Sequence, residues 1–174
     1  MVLSMPQSSV FSYPDAVDEV SARLVAGGVV LLSVGVVVAQ QPWLIVPLAF
    51  GFVARVFTGP TLSPLAQLVS RVITPRLAIA PRPTPGPPKR FSQGIGATLS
   101  VAAAFAHFGF GTTGTATVLV SLILVAASLE AFAGFCLGCW IFGRLMRIGL
   151  IPVSVCESCG DISGRLDVLA HQSP

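Results

Sequence analysis

Apolar residues fill long blocks of this chain, and the polar interruptions between them are few and placed like turns. From Leu24 to Ala54 no residue is charged. A helix rises 1.5 Å per residue and a bilayer core needs about 20 apolar residues, so this block exceeds one crossing. Gln40-Gln41-Pro42 divides it, predicting one span over 22–39 and a second over 43–57. Arg23 and Arg55 can snorkel to one side, and Trp43 can anchor the other. From Phe91 to Gly143 the one charge is Glu130, and Gly111-Thr112-Thr113-Gly114 marks a turn. The pattern predicts spans over 94–110 and 115–140, the last closed by Arg144 and Arg147.

The middle of the chain reads differently. Leu65, Leu68, Val69 and Val72 recur at helical spacing, with Gln67, Ser70 and Arg71 on the other face. That is a short amphipathic helix on the membrane surface, or a helical loop packed on the spans, ended by Pro75. Pro81, Pro83, Pro85, Pro87 and Pro88 then read as an extended linker ending at Lys89-Arg90. Residues 1–21 form a polar N-terminal tail, with a short helix near Asp15 to Arg23, and residues 151–174 form a polar C-terminal tail. The expected fold is therefore all-α, a four-helix transmembrane bundle over 22–150 with a short amphipathic interfacial helix in its middle loop.

Composition agrees. The chain is 53% hydrophobic and 10% charged, against roughly 25% charged in soluble domains, and its mean hydropathy is +0.85. A soluble fold of 174 residues could not hide so much apolar surface, and a lipid bilayer can take it. A net charge of +3 gives no reason to expect nucleic acid. The preference for Arg over Lys, with abundant Ala, Gly, Pro and Val, fits a bacterial GC-rich genome. Val37 and Ala39 imitate a leader cleavage site, but Asp15, Asp18 and Glu19 ahead of the apolar run oppose the positive start a leader needs.

The basic residues orient the chain. Arg55, Arg71, Arg76, Arg82, Lys89 and Arg90 lie in or beside the middle loop, and neither predicted short turn carries one. The positive-inside rule places that loop and both termini in the cytoplasm, with the protein in the inner membrane. Gly134 and Gly138, in line with Ala127 and Ala131, make a small-residue stripe, with Ala102 and Ala106 as a counterpart. It serves packing within the bundle or a homo-oligomer contact.

The chemistry sits in the last quarter. Cys136 and Cys139 form one Cys-x-x-Cys pair and Cys156 and Cys159 a second. The first pair can be a redox dithiol, a soft-metal site, or two small apolar core residues. A reactive pair normally sits at a helix N-terminus, where the dipole lowers the thiol pKa. Late in a long span the dipole works the other way, unless the helix breaks at Gly134 or Gly138. All four cysteines together match the spacing of a four-thiolate zinc site, making zinc the candidate cofactor. Glu130 is the one acid within the spans, either paired with Arg55 or Arg23 or accepting a proton during thiol chemistry. His107 reads as an interfacial or packing residue. On the predicted topology all four cysteines face the cytoplasm, where a standing disulfide is not expected.

Several segments make a resemblance. They are Val17-Asp18-Glu19 with Ala22-Arg23-Leu24-Val25-Ala26-Gly27, then Gly59-Pro60, Ser63-Pro64-Leu65-Ala66, Pro88-Lys89-Arg90-Phe91 and Gly94-Ile95-Gly96. Leu129-Glu130-Ala131 through Gly134-Phe135-Cys136-Leu137-Gly138-Cys139 completes the set. Over roughly residues 14 to 150 the chain resembles the bacterial integral-membrane family catalogued as domain of unknown function 4395. The resemblance carries no activity. It implies a sulfur or thiol setting, because relatives tend to occur beside thioredoxin-like and sulfurtransferase proteins, which become candidate partners. The second cysteine pair lies outside the resemblance.

No nucleotide-binding loop, Ser-His-Asp set or carboxylate pair is visible, so no established catalytic motif marks an enzyme. Three functions are expected: a thiol or sulfur-redox membrane protein using Cys136 and Cys139, a soft-metal-handling membrane protein, or a structural accessory subunit.

Overall fold

In the computed structural model the described residues are 16–59, 61–76, 83–152 and 155–156. They are mostly helical, and the fold is all-α. What the sequence leads one to expect of residues 1–15, of the loop at 77–82 and of the tail beyond Cys156 lies outside the described residues.

Asp18 starts the first helix. Its carboxylate accepts from the Ser21 N–H at 2.9 Å and from the Ser21 hydroxyl at 2.8 Å, occupying one of the orphan donors of a helix start. Helix α1 then runs Glu19–Val37. The chain turns through Gln40, at φ 52°, into a 3-10 turn Pro42–Leu44 and helix α2, Ile45–Thr58. Ser63 caps α3, Pro64–Leu68, which continues through a π turn Val69–Ile73 into α4, Thr74–Arg76. Ala66 and Val69 pack on Val25, so this stretch is held against α1.

The N-terminal segment and the proline stretch depart from their expected roles. Strand β1, Ala16–Asp18, pairs antiparallel with β2, Pro83–Pro85, in place of a free tail and a free linker. Helix α5, Gly86–Ala104, takes Pro87 and Pro88 into its first turn. The first turn has no intrahelical use for an N–H, so proline is accepted there and the extended segment ends at Pro85. A π turn Phe105–Gly109 extends α5, and Gly111, at φ 65°, turns the chain at the expected place.

Helix α6 runs Thr113–Ala133 and α7 runs Leu137–Arg147. The single span expected over 115–140 is thus two helices. Gly134 sits in the left-handed region at φ 66°, and its N–H donates to the Glu130 carbonyl at 3.2 Å, the αL form of helix end. Glycine takes this backbone without the Cβ clash other residues meet.

Helix α1 packs on α6, α2 on α5, and α5 on both α6 and α7. Val29, Leu48, Phe52, Ala103, Val120 and Ile123 belong to the buried core. Its alanines let helices approach closely. Gly96 of α5 lies against the Phe52 ring so tightly that a Cβ there would strike it.

Two helices, α1 and α6, are long and apolar enough to cross a membrane. They are not core helices of the soluble kind, since 28% and 22% of their most apolar windows are buried. Leu31 is 75% and Val118 61% exposed on their outer faces. Of the four expected spans these two meet the length and hydropathy a crossing needs. The apolar helical stretch Pro42–Thr58 is shorter, and α5 dilutes its apolar run with Lys89, Arg90, Ser92 and Gln93 in its first turns.

The Gly96–Phe52 contact predicts that Gly96→Ala lowers the detergent-solubilised melting point, by the ~1–3 kcal/mol typical of overpacking. Combining it with Phe52→Ala should cost less than the sum of the two single changes. Additive losses would show that the two residues do not share one packing site.

Candidate functional site

The break between α6 and α7 places Cys136 at a helix start. Cys136 is the N-cap of α7, and its Sγ accepts from the Cys139 N–H at 3.4 Å. The Cys139 thiol donates to the same sulfur at 2.6 Å. Both cysteines are free and half-buried. The sequence objection to a reactive pair is thereby removed, because the dipole of α7 now favours a thiolate at Cys136.

The end of α6 is held from a distant part of the chain. Arg23 of α1 donates from Nε and Nη2 to the Ala131 carbonyl at 3.3 and 3.2 Å, and from Nη2 to the Phe132 carbonyl at 3.1 Å. A cation on the last carbonyls satisfies orphan acceptors and complements the helix dipole. Glu130, expected against Arg55 or Arg23, has a lysine beside it. Its carboxylate takes the Lys89 ammonium at 2.5 Å, with both side chains largely buried. Arg55 instead donates to Gln93 Oε1 at 2.9 Å and lies over the Phe52 ring. The sequence shows which charges are buried but not the register between helices, and α5 sets Lys89 opposite Glu130.

These groups tune the dithiol. The Cys136 pKa is lowered to about 6, first by the hydrogen bond from Cys139, against an upward push from burial and the Glu130 charge. The Ser92 hydroxyl and the Lys89 ammonium add to the lowering. The Cys139 pKa is raised, first because its thiol proton is held on Cys136 and then by burial. One sulfur is thus set to be the thiolate and the other to keep its proton. On an unbroken helix Glu130 and Cys136 would face apart; the break brings them within electrostatic range.

Gly138 is buried against Ser92 of α5, with no room for a Cβ. The Gly134/Gly138 pair is therefore not one helical stripe. Gly134 ends α6 and Gly138 is taken up inside the chain, because the pair straddles the break. Ser92, unremarkable in the sequence, is the residue that reading missed.

A cavity of about 380 Å³ lies beside the dithiol. Leu137 and Gly138, the two residues between the cysteines, line it with Ser92. Arg55, Lys89, Gln93, Glu130 and Asp18 supply polar lining, and Val29, Phe52, Leu99 and Ile123 supply apolar wall.

The remaining sequence candidates lie elsewhere or do not gather. His107 is at the opposite end of the bundle, within 3.3 Å of the Thr113 hydroxyl and edge-on to Phe108. Cys156 is disulfide-bonded, contrary to the expectation of four reduced thiols, and Cys159 lies outside the described residues. A sulfur in a disulfide is not a thiolate ligand. Among the described residues no three His, Cys, Asp or Glu side chains gather to hold a metal ion.

Alkylation of Cys136 should follow a thiolate midpoint near pH 6, so that it is close to maximal at pH 7 while Cys139 stays protected. Glu130→Gln should move the midpoint down and Lys89→Met should move it up, because the first removes a repelling charge and the second an attracting one. Mass spectrometry of the labelled cysteines across pH reads both shifts. A midpoint in the ordinary thiol range near pH 8.5 contradicts the geometry.

The family model of the domain of unknown function DUF4395 matches residues 17–147. No curated protein and no solved structure matches. The matched residues span both ends of the bundle, the Lys89–Glu130 pair and the first cysteine pair. The chain belongs to the DUF4395 family.

Proposed function

We propose that this chain is a four-span inner-membrane protein that exchanges thiols and disulfides with a thioredoxin-like or sulfurtransferase partner through Cys136 and Cys139. The observation that carries this reading is the dithiol at the N-terminus of α7, with Cys136 Sγ accepting from both Cys139 N–H and Cys139 Sγ.

The spans are α1, the stretch Pro42–Thr58, α5 from about Gly94 with its π turn, and α6. Helix α7 lies beyond the last span at the interface, where Arg144 stacks on Trp140 at 4.9 Å. Arg23, Arg55, Lys89, Arg90, Arg144 and Arg147 fall at the end of the bundle that carries the dithiol. The positive-inside rule makes that end cytoplasmic, together with both termini.

In the exchange, the Cys136 thiolate attacks a partner disulfide, forming a mixed disulfide and releasing one partner thiolate. Cys139 then loses its proton, with Glu130 as acceptor, and attacks Cys136 Sγ. The intramolecular disulfide forms and the second partner thiolate leaves. The step is reversible. Exposed Phe135, Leu137 and Trp140 around the pair offer an apolar rim for a docking protein.

Cys139→Ser should accumulate a mixed disulfide with a thioredoxin-like protein in cells, visible on non-reducing gels and lost in Cys136→Ser. Full complementation of a deletion strain under oxidative or sulfur stress by both single variants would sink the proposal and favour the accessory-subunit reading.

A further inference from the structure

The cavity beside the dithiol is amphiphilic and electrically balanced. At its polar end two acids, Asp18 and Glu130, face two bases, Arg55 and Lys89, so no net charge selects an ion. Ser92 and Gln93 add neutral donors. The opposite wall, built from Val25, Ala26, Val29, Leu99 and Ile123, is apolar. At about 380 Å³ it has the size of a site for a small organic molecule, which such sites hold in apolar walls with a few placed polar groups.

A folded protein is too large for a space of about 380 Å³ between helices, so it is not the docking place of the exchange partner. A neutral, lipid-soluble molecule with hydrogen-bond-accepting oxygens fits both ends. The cavity also adjoins the redox pair. Leu137 and Gly138 form part of its wall, and Ser92 both lines it and hydrogen-bonds Cys136. Run in its reverse direction, the exchange takes two electrons from a reduced partner and leaves Cys136 and Cys139 as a dithiol, and those electrons need a second carrier, of the kind the bilayer holds in dissolved form, to leave by.

We infer that the cavity binds the head of a lipophilic quinone, which oxidises the Cys136–Cys139 dithiol. The inference rests on the thiol-exchange reading above. Cys136, already a thiolate, and Cys139 each lose one electron as the S–S bond forms between them; Cys139 gives up one proton and the solvent supplies the second. The quinone gains two electrons and two protons and leaves as the hydroquinone. Lys89, Ser92 and the Arg55–Gln93 pair are the donors placed to hold its carbonyl oxygens, and the Lys89–Glu130 pair lies where protons pass from thiol to ring oxygen.

The test uses the full-length protein in detergent or liposomes and a short-chain benzoquinone. Calorimetric binding to the Cys136→Ser, Cys139→Ser double variant reads the cavity without the redox reaction. Reduced native protein mixed with the quinone reads the reaction, through hydroquinone absorbance and the loss of alkylatable Cys136 and Cys139. The inference expects stoichiometric binding by the double variant and one hydroquinone per disulfide formed by the native chain. Two cavity-filling variants on different helices, Ala127→Leu and Ala22→Leu, should each weaken binding by at least about tenfold with helical content retained, and either suffices where the other fails to fold. Exchange with a soluble thioredoxin but no quinone binding overturns the inference and leaves the exchange reading standing. Binding by the double variant without oxidation of the native dithiol overturns the electron transfer and leaves the exchange reading to the mixed-disulfide test. Binding undiminished by either filling variant overturns the cavity as the site.

Discussion

The end of α6 at Ala133 is the constraint on which the site depends. Gly134 takes a left-handed backbone, and Arg23 reaches from α1 to the Ala131 and Phe132 carbonyls that the helix leaves unpaired. Were α6 to continue, those carbonyls would be used by following N–H groups. The cysteines would then lie deep in one helix, at the wrong end of its dipole. Stopping the helix creates a new N-terminus, and Cys136 occupies its cap.

The same end of the bundle gathers most of the charge that the apolar helices lack. Lys89 and Arg55 are each 5% exposed, a costly position for an ion unless it is paired and hydrogen-bonded. Lys89 meets Glu130 and Arg55 meets Gln93. These pairs leave an internal space that is polar at one end and apolar at the other, next to two sulfurs of unequal acidity. Asymmetry between the thiols follows from geometry: one sulfur accepts two hydrogen bonds, and the other gives its proton to make one of them.

Much of this was legible in the sequence. The turns at Gln40-Gln41-Pro42 and Gly111-Thr112-Thr113-Gly114 stand where expected, because charge-free runs and turn residues mark helix ends locally. The all-α fold follows from the same runs. The sequence left a break at Gly134 or Gly138 open without choosing it, because glycine in an apolar helix also reads as a packing residue. Pro87 and Pro88 read as linker because a proline run says nothing about whether its last members fall in a helical first turn. Lys89, the cation beside Glu130, was not among those named for it, and Ser92 was passed over. Both depend on which turns of α5 and α6 or α7 come together, and helix register is not a property of either sequence segment alone.

The central claim is that Cys136 and Cys139 form a reversible redox couple rather than a packing pair. The most direct measurement equilibrates the purified protein in thiol–disulfide buffers of graded potential and counts alkylatable Cys136 and Cys139 at each. The account predicts a single two-electron transition within the range of catalytic dithiols, about −270 to −120 mV, toward its oxidising side because a stabilised Cys136 thiolate favours the reduced form. A pair that stays reduced across that range, or that changes only below about −300 mV as structural disulfides do, would contradict it.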